Sequence, residues 1–285
     1  MSSTARPYAR APSWRVLSPV GPARSLWRHR ELIRQLVIRD LQQRYRGSYL
    51  GILWSVITPL LMLSAYTLVF AVILQARWAV GDQQLTSQEF ALVVFAGLIP
   101  FSLLAECLNR APGLVLLTPN YVKKVVFPLE VLPVVLVCSA ALQSLISTGV
   151  LVLGTALLLG HLSPTLPLLP LAYLPLLLLA LGVSWFLAGL GVYVRDVSQS
   201  IGVLTQLLMF LSPVFYPISA VPEWLRPWLR LNPLTAILEA FRATLLFGEP
   251  LPWESWAAWT LATALLAVLG YNWFVVTKRT FADVI

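Results

Sequence analysis

The sequence is poor in charge, in histidine and in cysteine, and each shortage closes off a class of function. Only 11% of its 285 residues are charged, against about 25% in an ordinary soluble domain. The two histidines, His29 and His161, stand alone and give no basis for a zinc site. The two cysteines, Cys107 and Cys138, fall inside apolar stretches without ligand-like spacing, and read as small hydrophobes rather than a disulfide or metal pair. A glycine-rich phosphate loop, a Gly-x-Ser-x-Gly elbow and a paired histidine and carboxylate are all missing. No catalytic residue, metal or cofactor is therefore expected in this chain. A secretory signal is not expected either, because the first apolar run begins only after Leu50.

What is abundant is apolar: 58% of the residues are hydrophobic, and the mean hydropathy is +0.79. One soluble core of this size could not hide so much apolar surface. In lipid the backbone must satisfy its own hydrogen bonds, which restricts the choice to helices or a closed barrel. Barrel strands alternate over about ten residues, whereas the apolar segments here are long and continuous. The prediction is an all-α integral membrane protein with six transmembrane helices, near 52–74, 90–108, 131–159, 168–194, 201–218 and 256–277. An N-terminal amphipathic interface helix precedes them, and re-entrant helices lie between spans five and six. Residues 1–25 read as a loosely ordered basic tail, 26–51 as the interface helix and its exit turn, and 52–285 as the transmembrane domain.

Charge tests this map independently. With the N-terminus inside, sixteen of the twenty basic residues are cytoplasmic: ten arginines before span one, then Arg110, Lys123, Lys124, Arg195, Lys278 and Arg279. Arg77, Arg226, Arg230 and Arg242 fall outside, accompanied by Asp82, Glu89, Glu223, Glu239, Glu249 and Glu254. That is the positive-inside distribution. The segment between spans five and six is apolar yet proline-rich. Asn232-Pro233 reads as an N-cap with proline in the first helical position, followed by a stripe of Leu234, Ile237, Leu238, Phe241 and Leu245. A helix over 233–247 is too short to span. It either dips into the outer leaflet and returns or lies flat as an external loop.

Three features call for a functional account, and each has a plainer alternative. The interface helix carries Leu32, Ile33, Leu36, Val37, Leu41 and Tyr45 on one side, with Asp40 and Arg44 interrupting it. At its exit Arg39, Arg44 and Arg46 could bind phosphate oxygens, or could merely set topology and anchor headgroups. The cytoplasmic loop Asn120-Tyr121-Val122-Lys123-Lys124, continuing to Phe127 and bounded by Pro119 and Pro128, could fit a groove on a partner or be an interfacial turn. Aromatics at Tyr66, Phe70, Phe95, Phe101, Phe210, Phe215 and Tyr216 could stack on sugar rings or simply pack.

Taken in order, these residues resemble a known family. Arg39-Asp40, then Arg44-Tyr45-Arg46-Gly47-Ser48-Tyr49-Leu50-Gly51 and Leu53-Trp54, are similar to the start of polysaccharide-exporting ABC transporter permeases. So are Val122-Lys123-Lys124-Val125-Val126-Phe127-Pro128, Tyr193-Val194-Arg195-Asp196-Val197, Leu211-Ser212-Pro213-Val214-Phe215-Tyr216-Pro217 and Leu231-Asn232-Pro233-Leu234-Thr235 with Glu239-Ala240-Phe241-Arg242. The chain resembles the O-antigen (Wzm-like) and teichoic acid type most closely, from about residue 26 onward. The resemblance implies a homodimer in the bacterial inner membrane, both termini cytoplasmic, paired with two separate ATPase subunits that carry ATP and magnesium. It implies a lipid-diphosphate entrance at Arg39, Arg44, Arg46, Leu50 and Gly51, and ATPase coupling through 120–127. It further implies a glycan channel including Tyr66, Phe70, Phe210, Phe215 and Tyr216, and an outer gate including Pro213, Pro217, Asn232, Pro233, Glu239 and Arg242. The cargo would be an undecaprenyl-diphosphate-linked glycan. Capsule, teichoic acid, lipid or drug export are same-class alternatives; an intramembrane sugar transferase is the different-class one, disfavoured by the missing catalytic constellation.

Overall fold

The computed structural model describes residues 24, 26–44, 46–73, 79–80, 83–118 and 127–284. The basic tail 1–23, Tyr45, Arg77, Asp82 and all of 119–126 lie outside the described residues. Helix α1 is Arg30–Arg44 and α2 is Trp54–Tyr66, extended by a π-helical turn over Thr67–Ile73. A two-residue antiparallel pairing of β1, Ala79–Val80, with β2, Gln83–Gln84, precedes α3, Ser87–Arg110. Then follow α4, Val131–Leu159, α5, Leu169–Tyr193, and α6, Val197–Leu211. The proline-rich segment holds α7, Arg226–Arg230, and α8, Pro233–Arg242, the latter extended by a π-helical turn over Ala243–Phe247. Helix α9, Trp253–Thr277, leads to the short α10, Phe281–Val284.

Four of these helical segments are long and apolar enough to cross a membrane: Gln88–Arg110, Val131–Leu159, Leu166–Tyr193 and Trp253–Thr280. Two shorter apolar helices, Trp54–Val69 and Val197–Leu211, occupy the places expected for spans one and five. The fifth apolar run ends at Leu211 rather than continuing to 218. Pro213 follows Ser212, whose backbone is extended at φ −109 and ψ 146, as the ring of a following proline demands.

Helix α3 is the centre of the molecule. A capping box starts it: the Glu89 amide donates to Thr86 Oγ1 at 3.4 Å, and the Thr86 amide donates to the Glu89 carboxylate at 2.6 Å. Every residue from 90 to 101 is buried, and α2, α4, α5, α6 and α8 all pack against it. By contrast α9 turns Leu261, Leu265, Leu269, Trp273 and Val276 outward, a stripe suited to lipid.

Polar side chains repair the helical ladder where proline breaks it. Pro59 in α2 has no N–H to give the Ser55 carbonyl four residues earlier. Gln143 Nε2 of α4 donates to that carbonyl at 2.9 Å. Pro175 in α5 does the same to Leu171, and Trp256 Nε1 of α9 donates there at 2.8 Å. A second interhelical polar knot joins α4 to α5, with Tyr173 Oη 2.8 Å from both Ser144 Oγ and Thr148 Oγ1.

The most extensive helix pair, α5 with α9, depends on backbone-to-backbone contact. A Cβ on Gly270 would lie 2.2 Å from the Gly182 oxygen, and one on Gly182 would lie 2.8 Å from the Ala267 nitrogen. Small residues allow this approach, which lipid itself does not drive. Gly270→Ala should therefore push α9 off α5 and lower the thermal midpoint in detergent, by overpacking worth about 1–3 kcal/mol. Gly149→Ala in α4, where a Cβ meets nothing within 4 Å, should leave the midpoint unchanged or raise it.

Candidate functional site

The interface helix α1 is held by two kinds of contact. Its apolar side packs on the start of α4, where Val37 meets Val131 and Val135 with Ile33, Leu36 and Leu41 around them. The two residues that interrupt that side, Asp40 and Arg44, stand one turn apart and reach α3 instead. Arg110 Nη2 donates to Asp40 Oδ1 at 2.7 Å, and its Nη1 donates to Glu106 Oε1 at 2.8 Å. Arg44 Nη2 donates to the same Glu106 oxygen. Two guanidinium groups and two carboxylates thus form one connected cluster whose charges cancel. The signal for it was present in the sequence as two blemishes: an imperfect amphipathic face, and a lone carboxylate, Glu106, near the end of an apolar span.

Glu106 also lines a cavity of about 350 Å³ that runs between α2, α3, α4 and α6. Thr58, Tyr66, Ser102, Gln143 and Ser147 give it a polar edge among apolar walls. On the other side of the cluster, Asp40, Gln43, Arg44 and Arg110 line an open depression of similar volume. The Glu106 carboxylate therefore stands between a groove among the helices and a polar depression at the end of α1.

The other entrance residues are more open. Arg39 and Arg46 are exposed, and the Arg46 amide donates to the Gln43 carbonyl at 3.4 Å. Leu50 is exposed, and Gly51 adopts φ +50 where the chain turns into α2, a conformation suited to glycine.

Of the residues expected to couple to an ATPase, Asn120, Tyr121, Val122, Lys123 and Lys124 lie outside the described residues. Phe127 is half-buried against the apolar cluster that contains Val115, Leu129, Trp185 and Phe281. A firm anchor follows three residues later. Glu130, 7% exposed, accepts from Lys278 Nζ at 2.8 Å, and its carbonyl accepts from Trp185 Nε1 at 3.0 Å.

Among the aromatic positions, Tyr66 and Phe215 meet with ring centroids 6.2 Å apart. Phe95 and Phe101 are buried in the core. Phe210 is exposed, and Tyr216 Oη donates to the Phe210 carbonyl at 2.8 Å. Phe70 lies in the π-helical turn that extends α2, and its side chain is outside the described set.

The outer segment is built as the sequence suggests at its start. Asn232 Oδ1 accepts from the Leu234 amide at 3.0 Å, Pro233 opens α8, and Asn232 Nδ2 donates to Ser212 Oγ at 3.0 Å. Leu234, Ile237, Leu238, Phe241 and Leu245 are all buried. Pro213 and Pro217 lie in the turn between α6 and the next short helix, and Glu239 is exposed. Arg242 corrects its place in the charge map, where it counted as an outer loop charge. It is 4% exposed; Nε donates to the Val93 carbonyl at 3.2 Å and Nη2 to the Val214 carbonyl at 2.7 Å. A Cβ at position 97 would lie 2.7 Å from Arg242 Nη2, so Gly97 leaves the space the guanidinium fills.

The ionic cluster should be the hinge of α1. Arg110→Gln removes both bonds to Asp40 and one to Glu106, while leaving the packing of Val37 untouched. All four side chains keep some contact with solvent, so the loss should be about 1–2 kcal/mol. Hydrogen exchange should then rise roughly 5- to 30-fold over residues 40–44 and stay unchanged in α5 and α9.

Comparison with known proteins gives these elements a common context. The family described as ABC-2 type transporter matches residues 31–246, from α1 through the end of the proline-rich segment. The chain is 32% identical over 225 residues to the O-antigen export system permease protein RfbA of Myxococcus xanthus, covering 77% of this chain and 82% of that protein. It is 24% identical over 258 residues to the protein of the same name from Klebsiella pneumoniae, covering 90% and 95% of the two chains. Interface helix, central helix and proline-rich outer segment thus all fall within one matched region, and the chain belongs to the ABC-2 type transporter family.

Proposed function

We propose that this chain is the permease subunit of an ATP-driven exporter that moves a lipid-linked polysaccharide of the O-antigen kind across the bacterial inner membrane. The observation that carries the reading is its similarity, over most of both chains, to permeases named for O-antigen export. Exposed arginines at the end of α1, beside a helix that is tied to the groove-lining Glu106, fit a cargo with an anionic head and an apolar anchor.

In this reading the chain crosses the membrane six times with both termini cytoplasmic. The two shorter apolar helices count as spans. Helix α2 and its π-helical turn together run from Trp54 to Ile73, or ~30 Å at ~1.5 Å per residue, the thickness of the hydrocarbon core. Two copies pair so that α2 and α6 of each line a glycan path, with Tyr66, Phe70, Phe210, Phe215 and Tyr216 along it. Helix α8 and its neighbours form the outer gate. Two ATPase subunits bind ATP and magnesium and seat residues 120–127; their closure reaches the helices through the Glu130 anchor. The cargo's diphosphate, on an undecaprenyl carrier, is received by Arg39, Arg44 and Arg46 beside Leu50 and Gly51.

The test is ATP-driven movement of a lipid-linked glycan in proteoliposomes containing the chain and its candidate ATPase. Arg39→Glu with Arg46→Glu should reduce export at least about ten-fold, since two attractive charges become repulsive. Membrane insertion and ATPase association should be unchanged. Export at the normal rate in this double variant would reject the entrance.

A further inference from the structure

The geometry points to Glu106 as an internal stand-in for the cargo's phosphate: its carboxylate occupies Arg44 until an anionic lipid diphosphate takes its place. This rests on the entrance reading above and adds the exchange of partners at Arg44.

Arg44 is the last residue of α1 and lines the inner-face depression, yet its guanidinium bonds to a carboxylate that lines the groove on the other side. A guanidinium fork suits a carboxylate and a phosphate equally well. A lipid diphosphate offers more charge and more oxygens than one carboxylate, so it can displace Glu106. Stranding a half-buried carboxylate would be costly, but Glu106 keeps its 2.8 Å bond from Arg110 after Arg44 leaves. Arg110 also keeps Asp40 at 2.7 Å. The exchange thus cuts one of the two ionic ties between α1 and α3 and preserves the other. While the site is empty, the cluster is neutral and its partly exposed groups are paired. Anionic lipids that offer a single, weaker phosphate charge compete poorly with the built-in carboxylate, which gives the entrance selectivity for the diphosphate.

The two carboxylates of the cluster separate exchange from simple charge. Glu106 is bonded to Arg44; Asp40 is bonded to Arg110, and no bond joins Asp40 to Arg44 among the described residues. Binding of undecaprenyl diphosphate would be measured on the full chain in nanodiscs, with phosphatidylglycerol and inorganic diphosphate as comparison ligands. Glu106→Gln, whose amide oxygen can still accept from Arg110, should bind the lipid diphosphate roughly ten-fold more tightly. It should also lose discrimination against phosphatidylglycerol. Asp40→Asn should bind it less than about three-fold more tightly. Glu106→Asp, which withdraws the carboxylate by one methylene, should also tighten binding and provides a second reading should the glutamine variant fold poorly.

Equal gains in Glu106→Gln and Asp40→Asn would overturn the exchange in favour of a general charge effect. Unchanged or weaker binding in both Glu106 variants would overturn it outright. Inorganic diphosphate binding as tightly as the lipid would overturn the lipid as the displacing ligand. The entrance reading fails separately: in that case the wild-type chain does not bind the lipid diphosphate, or binds it equally after Arg39, Arg44 and Arg46 are all replaced by glutamine.

Discussion

The rest of this structure depends on keeping backbone carbonyls paired where no water can reach them. A helix in lipid satisfies itself only while its ladder is unbroken, and this chain breaks its ladder with proline in several apolar helices. Gln143 answers the gap left by Pro59, and Trp256 answers the one left by Pro175. Both repairs come from a different helix. Pro59 and Pro175 therefore do more than bend: each leaves a carbonyl that a particular side chain of another helix binds, which helps fix which helices are neighbours. Apolar packing between helices has little directional preference in lipid, and these polar ties supply direction.

The same logic governs the end of the helices where α1 packs, with ions in place of amides. Asp40, Arg44, Glu106 and Arg110 join α1 to α3, while Lys278 and Glu130 join the end of α9 to the start of α4. The second tie lies immediately after the stretch assigned to ATPase coupling, and Trp185 holds the Glu130 carbonyl as well. Force arriving along that stretch would meet a residue clamped to α5 and α9, the pair whose backbones meet at Gly182 and Gly270. The first tie is partly open to solvent and can rearrange. One of these two ties is thus more enclosed and the other more open to solvent.

Much of this was legible in the sequence because it rests on local chemistry. Asn232-Pro233 and the stripe after it specify the start and buried face of α8, and both are present in the structure. The long apolar helices follow from composition and length alone. The resemblance to exporters lay in short ordered motifs, and the matched region contains nearly all of them. Harder to read was which charges face water. Arg46 and Arg242 look alike as letters, yet Arg46 is exposed and Arg242 is sealed between the carbonyls of Val93 and Val214. The difference arises from Gly97, 145 positions away in sequence from the guanidinium it accommodates, and single-chain patterns carry no such distance. Asp40 and Arg44 posed the same difficulty: as flaws in an amphipathic face they are unremarkable, and only the position of Glu106 turns them into a joint.

The stretch after α6 shows why depth and helicity need not coincide. At ~1.5 Å per residue, the fifteen residues of α6 cover ~22 Å, short of the ~30 Å of a hydrocarbon core. The chain then leaves helical geometry at Ser212. A non-helical backbone at that depth is acceptable only if protein groups take the place of water, and here they do. Asn232 bonds the Ser212 hydroxyl, Arg242 bonds the Val214 carbonyl, and Tyr216 bonds the Phe210 carbonyl. A loop lying flat in the headgroups would have water for these carbonyls and no use for a buried guanidinium. Arg242 is spent on backbone oxygens inside the core beside α3, where protein groups take the place of water. The apolar stripe of α8 is covered because the helix packs on α3 and α5.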